Sequence, residues 1–176
     1  MELKIIYYTK LNIKKYLDPL FSLIPSYEPG YMEIDSIPSR YLDESRGQYK
    51  GEYINMWLNT FRESDELIIG VLDVDAYVSR LNFIFGLATP SLKVASVYLT
   101  RLKYYADEYK LGERIRKEVL HELGHVHGLE HCRNPKCVMS FSNSLYDVDK
   151  KTWKLCSYHY EKLVRTGLKL SDKLIL

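Results

Sequence analysis

No histidine and no cysteine occurs in the first 120 residues of this 176-residue chain. That long stretch reads as scaffold. No charge of one sign dominates: 25 Lys and Arg face 23 Asp and Glu, a formal net charge of +2. A balance that mild gives no support for electrostatic nucleic-acid binding. No apolar run reaches membrane-spanning length, which argues against a transmembrane segment. Met1–Lys10 (MELKIIYYTK) has neither the basic start nor the small-residue cleavage site of a signal peptide. It reads as a strand, and the expected location is the cytoplasm. A phosphate loop of the form G-x-x-x-x-G-K-[ST] is missing, and so is a G-x-G-x-x-G fingerprint. Internal repeats, low-complexity tracts and a clear linker are also absent. Cysteine is scarce, and its count of three is odd, so a complete disulfide framework within one chain is excluded.

What is present suits one globular domain. Hydrophobic residues make up 46% and charged residues 27%, and the length allows a core without staples. Leu3–Thr9 is an apolar run of strand length, of the kind buried on both faces. Asn12–Ile24 has helical spacing, with Pro19 as a candidate interruption. Tyr31–Ile37 follows a Pro-Gly turn signal and alternates like a strand. Tyr53–Phe61 predicts a helix and Glu66–Leu72 a third strand, with Asp73 and Asp75 read as capping carboxylates in the loop after it. Asn82–Ala88 and Lys93–Thr100 predict two more strands, close enough for a hairpin. The β-α-β-α-β order favours a partly parallel sheet, and the final pair makes it mixed. After residue 128 only Lys150–Val164 looks regular, as a helix, and the tail Gly167–Leu176 is unassigned.

All five histidines and all three cysteines lie between His121 and His159. Residues 121–131 read His-Glu-Leu-Gly-His-Val-His-Gly-Leu-Glu-His. On a helix turning about 100° per residue, His125 lies about 40° from His121 and one turn along. Both imidazoles can reach one metal, and Glu122 sits close enough to reach water there without ligating. Ile115, Val119, Leu123 and Val126 form an apolar stripe on the opposite side. A third ligand six residues after His125 requires the chain to turn, and Gly128 permits it. His131 can then complete a three-histidine site with one position left for water, the pattern of catalytic zinc. His127 lies about 160° from His125 and reads as a bystander. The basic cluster Arg114, Arg116 and Lys117 reads as a solvated helix face.

H-E-x-x-H-x-x-G-x-x-H is the zinc signature of the metzincin metalloproteases, and the chain resembles one branch of that clan, the archaemetzincins. In that family the signature runs into a cysteine, followed by C-x4-C-x-M and a later C-x2-C. Here Cys132 follows His131, then come Cys137 and Met139, and the later pair is Cys156 and His159. The chain departs from the family at His159, where the pattern has cysteine. Read from the residues alone, Cys132, Cys137, Cys156 and His159 suit a structural Cys3His zinc site. Cys156 and His159 would share a helix face, and free cysteines or a Cys132–Cys137 disulfide stay open as alternatives. By similarity, Met139 is the Met-turn methionine, a packing floor beneath the zinc ligands. Phe141 stands where some metzincins carry a tyrosine, and it has no hydroxyl.

The resemblance implies an α+β, zincin-like fold over a single catalytic domain, residues 1–176. Its upper lobe, about 1–128, would hold a mixed twisted sheet with helices. Its lower lobe, about 129–176, would be small and mostly helical, with the Met-turn. It implies two zinc ions, one catalytic and one structural, and a peptide or protein as partner. The expected activity is peptide hydrolysis with Glu122 as general base. Competing expectations are a non-catalytic zinc-stabilised binding module and a zinc hydrolase of a non-peptide substrate. Phe83–Ala88 is the expected rim strand for an extended substrate, by analogy with strand addition. No residue is assigned to substrate specificity.

Overall fold

The computed structural model describes residues 1–176. Its main sheet has the order β2-β1-β5-β8-β7. These strands are Glu28–Glu33, Glu2–Tyr8, Leu67–Leu72, Val94–Tyr98 and Gly86–Thr89 in that spatial order. The first four are mutually parallel, and β7 runs antiparallel to β8 at one edge, pairing Gly86 with Val97 and Thr89 with Val94. The mixed sheet read from the sequence is therefore present. β5 is buried at every position because both faces are covered. Leu67, Ile69 and Val71 join one core, and Ile68 and Leu72 the other. The first core packs under α1 (Ile13–Phe21) and α4 (Glu108–Val126), the second under α2 (Gly51–Leu58).

Several boundaries differ from the sequence reading, for physical reasons. β2 begins at Glu28 and includes Pro29 and Gly30 in register with Leu3 and Lys4. The Pro-Gly pair is strand rather than turn, because an edge strand has a side without ladder bonds and tolerates proline. α1 is capped by Asn12, whose side chain accepts from the Lys15 amide at 3.1 Å. It ends at Phe21 rather than Ile24, soon after Pro19. Residues 82–85 precede the strand instead of forming its start. Thr100 belongs to a short helix, α3 (Leu99–Leu102). A second sheet of three very short strands went unread: β3 (Leu42–Asp43), β4 (Gln48–Lys50) and β6 (Ala76–Tyr77). Asp73 and Asp75 are not helix caps. Asp75 holds Arg101 through two 2.8 Å hydrogen bonds, and Asp73 pairs with Lys103.

α4 is the spine of the molecule. Asp107 caps it by accepting from the Lys110 amide at 2.8 Å. Ile115, Val119 and Leu123 are fully buried on the sheet side, as their spacing predicted, while Val126 is only partly buried. The basic cluster at its start is not a solvated face, because elements pack on the other side as well. Arg114 is 2% exposed and donates to both carboxylate oxygens of Asp149 and to the Leu102 and Tyr104 carbonyls, each at 2.7 Å. Lys117 donates to the Val148 carbonyl at 3.1 Å, and Arg116 pairs with Glu113 at 2.5 Å. Asp149 and Val148 come from α5 (Leu145–Lys150), a helix the sequence reading missed.

Beyond α4 the chain has two isolated bridges and no further strand, Cys132 with Ser140 and Leu155 with Ile175. The last long helix, α6, covers Ser157–Arg165 and starts seven residues later than expected from Lys150. The tail is a strap: Leu168 and Leu174 are buried, and the Ser171 amide donates to the Leu23 carbonyl at 2.9 Å. No helix is long and apolar enough to cross a membrane.

Candidate active site

The end of α4 delivers the first two histidines and then stops abruptly. The Gly128 amide donates to the His125 carbonyl and the Leu129 amide to the Gly124 carbonyl, both at 2.9 Å. That pair of bonds is a Schellman closure, and it requires the left-handed backbone that Gly128 adopts at φ +80°. The chain reverses and brings His131 back over the helix end. The His131 ring lies 5.4 Å from that of His121 and 4.8 Å from that of His125, centroid to centroid. One nitrogen of each imidazole falls within 4.8 Å of the others.

The chemistry of this donor set fits a divalent metal. His121 Nδ1 lies 2.8 Å from the Val138 carbonyl, and His125 Nδ1 lies 2.8 Å from the Leu129 carbonyl. A carbonyl only accepts, so each Nδ1 carries the proton and each Nε2 presents a lone pair. The two Nε2 atoms face each other at 3.0 Å. Two lone pairs at that distance repel unless a cation lies between them. Burial holds His121 well below the usual imidazole range and lowers His125 and His131 as well, with Lys151 adding to all three shifts. All three are thus neutral at neutral pH, the form that ligates.

Glu122 points to the same region. It is 5% exposed, and burial pushes its carboxyl well above the usual range; Glu118 adds to that rise and Lys151 opposes it. Its carboxyl packs on Gly86 of β7 so closely that a Cβ there would sit 2.5 Å from Oε1. Met139 is fully buried against Gly124, where a Cβ would meet its sulfur at 2.5 Å. A cleft of about 650 Å³ opens over these groups, lined by Gly86, Leu87 and Ala88 of β7 and by His131 and Phe141. Phe141 is exposed, and its ring lies 5.1 Å from that of His131. His127 lies outside the cluster, with Nε2 2.5 Å from the Tyr27 hydroxyl.

Cys132, Cys137, Cys156 and His159 form a second cluster, with ligand atoms also within 4.8 Å of one another. The Cys132 and Cys156 sulfurs are 3.8 Å apart, and all three cysteines are free. A tetrahedron with metal–sulfur bonds of about 2.3 Å has edges of about 3.8 Å. Backbone amides donate to two of the sulfurs: Asn134 to Cys132 at 3.4 Å and Cys156 to Cys137 at 3.3 Å. Burial pushes the Cys137 thiol up to about 12, so a thiolate there needs a cation beside it. Cys156 does not share a helix face with His159 as expected. It is the N-cap of α6, in extended backbone, and His159 lies in the first turn. The pair still meets, with Sγ 3.1 Å from Nδ1.

Two residues of the site escaped the sequence reading. Glu118 lines the cleft, and its carboxylate pairs with the fully buried Lys151 at 2.9 Å. The spacing 118, 121, 122, 125 puts Glu118 on the face of α4 that carries His121 and His125, a signal present in the sequence. Nothing local marks Lys151, which meets Glu118 from the end of α5.

Known proteins place this arrangement in a family. The model of Peptidase family M54 matches residues 25–165. An archaemetzincin of Pyrococcus furiosus is 43% identical over 164 residues, covering 83% of this chain and 85% of that one. Among solved structures, an archaemetzincin from Methanopyrus kandleri superposes with a TM-score of 0.86 at 29% identity, over 95% of each chain. A zinc-dependent peptidase from Methanocorpusculum labreanum gives 0.80 at 28% identity, over 92% of this chain and 99% of that one. With its zincin-like fold, this chain belongs to peptidase family M54, the archaemetzincins.

Proposed function

We propose that the chain is a zinc-dependent metallopeptidase acting through His121, His125, His131 and Glu122. The observation that carries this reading is the convergence of neutral imidazole nitrogens beside a buried carboxylate in an open cleft. His121, His125 and His131 would hold the catalytic zinc. Cys132, Cys137, Cys156 and His159 would hold a structural one. When bound by three protein ligands, zinc supplies Lewis-acid chemistry, lowering the pKa of water towards about 7 and polarising a carbonyl.

The chain's own residues do the rest. Glu122 accepts the proton of the attacking water on its carboxylate and hands it to the leaving amine nitrogen. Burial alone favours its protonated form, and the charge of a zinc ion on the neighbouring imidazoles would favour the carboxylate that takes up the proton. Met139 serves as the packing floor beneath the ligand helix. β7 is a sheet edge, so an extended peptide can add to it by backbone hydrogen bonds. Residues 1–176 act as one catalytic domain, with the sheet above the cleft and the segment from 129 onward below it.

Mass-spectrometric scanning of a mixed peptide library tests the reading. The zinc-loaded protein should produce defined cleavages that a chelator abolishes and zinc restores. Absence of any cleavage at full zinc loading would overturn the assignment. Gly86→Ala gives a more local check. Its Cβ would displace the Glu122 carboxyl, and a displacement near 1 Å costs on the order of 10²-fold in rate. Turnover should fall by about that factor while zinc content stays unchanged.

A further inference from the structure

His131 differs from its two partners in how it is held. The rings of His121 and His125 are each fixed by a carbonyl on Nδ1. No protein group hydrogen-bonds to the His131 ring, which is exposed and touches Phe141 instead. With no polar partner on the ring, its placement depends on the backbone that carries it and on packing against Phe141. On its C-terminal side, Cys132 is fixed twice, by its sulfur in the second cluster and by its amide, which donates to the Met139 carbonyl at 2.8 Å. On its N-terminal side, the Glu130 carbonyl lies 3.1 Å from His159 Nε2.

The His159 ring therefore faces two ways. Nε2 must carry the proton to donate to Glu130, so Nδ1 is the bare nitrogen, and it is Nδ1 that faces the Cys156 sulfur. We infer that His159 is a positioning residue for the three-histidine centre, a bridge that ligates in the Cys3His cluster through Nδ1 and fixes the backbone ahead of His131 through Nε2. A thiolate at this position could ligate, but it has no second polar atom to reach Glu130. The bridge rests on the metal roles proposed above for both clusters. Its readouts are metal affinity and tautomer, so it stands or falls separately from peptide hydrolysis.

Chelator competition on the two-metal protein tests it, with cobalt as the metal so that thiolate and imidazole sites are told apart by absorption. His159→Cys should still bind two metals, because it supplies a fourth ligand. The affinity of the three-histidine site should nevertheless fall about 10- to 100-fold, as when a hydrogen-bond partner outside the ligand set is lost. His159→Ala should lose the thiolate-site metal and weaken the three-histidine site at least as much. A three-histidine affinity within about twofold of wild type in His159→Cys, well below the 10-fold minimum, would overturn the bridge. If the variants misfold, imidazole ¹⁵N NMR of the wild-type zinc protein decides. His159 should carry its proton on Nε2 with Nδ1 bare, and the opposite tautomer would overturn the inference.

Discussion

Glu122→Ala should keep its zinc and lose about 10²- to 10⁴-fold in turnover, the usual contribution of a general base. The side chain is not among the atoms that cluster for metal binding, so its removal leaves the three imidazoles in place. It also leaves His121 and His125 oriented, because their Nδ1 bonds run to the Val138 and Leu129 carbonyls and not to Glu122. The measurement is paired: zinc content by elemental analysis and initial rate on one confirmed peptide. Loss of zinc together with rate would make Glu122 a structural residue. An unchanged rate would remove it from the chemistry.

Lys151→Met should cost about 3–5 kcal/mol of stability, the typical result of stranding one member of a buried pair. Lys151 is 0% exposed at its side chain and Glu118 is 3% exposed, with nitrogen and oxygen 2.9 Å apart. The Lys151 ammonium also reaches the Ser140 carbonyl at 3.4 Å, next to Met139. Without it, an uncompensated carboxylate stays buried one turn from Glu122. In a chain of this size the melting temperature should fall by about 6–20 °C. Replacing both partners, as Glu118→Leu with Lys151→Met, should recover most of the loss, since a buried pair exchanged for apolar side chains is often neutral. Calorimetry on zinc-loaded proteins distinguishes the cases. A single variant as stable as wild type would mean the pair contributes nothing.

These two residues also show what could be read without a structure. The closeness of Glu122 to His121 and His125 is legible from spacing because all three fall within about one turn of a single helix. The turn at Gly128 is legible for the same reason, since a histidine at residue 131 can join the first two only if the chain reverses. The sheet was legible where strands are long and apolar, as in β1 and β5. It was not legible where strands have two or three residues, as in β3, β4 and β6. Long-range packing defeated the reading of Arg114 and Lys117. Their charges suggested solvent, but Asp149 and the Val148 carbonyl meet them from a helix about 30 residues on. Lys151 belongs to the same class. The Cys156–His159 pair was recognised by spacing, yet its geometry comes from a helix cap rather than a helix face.

The central claim is that two metal ions sit on these seven named side chains and that the first keeps a position open to water. A crystal structure with anomalous diffraction at the zinc edge tests it most directly. Two peaks should appear. One should lie about 2.0–2.1 Å from a nitrogen of His121, His125 and His131, with no fourth protein ligand. The other should lie about 2.3 Å from the sulfurs of Cys132, Cys137 and Cys156 and within bonding distance of His159 Nδ1. A three-histidine cluster without a peak, or one closed by a fourth protein ligand, would contradict the account.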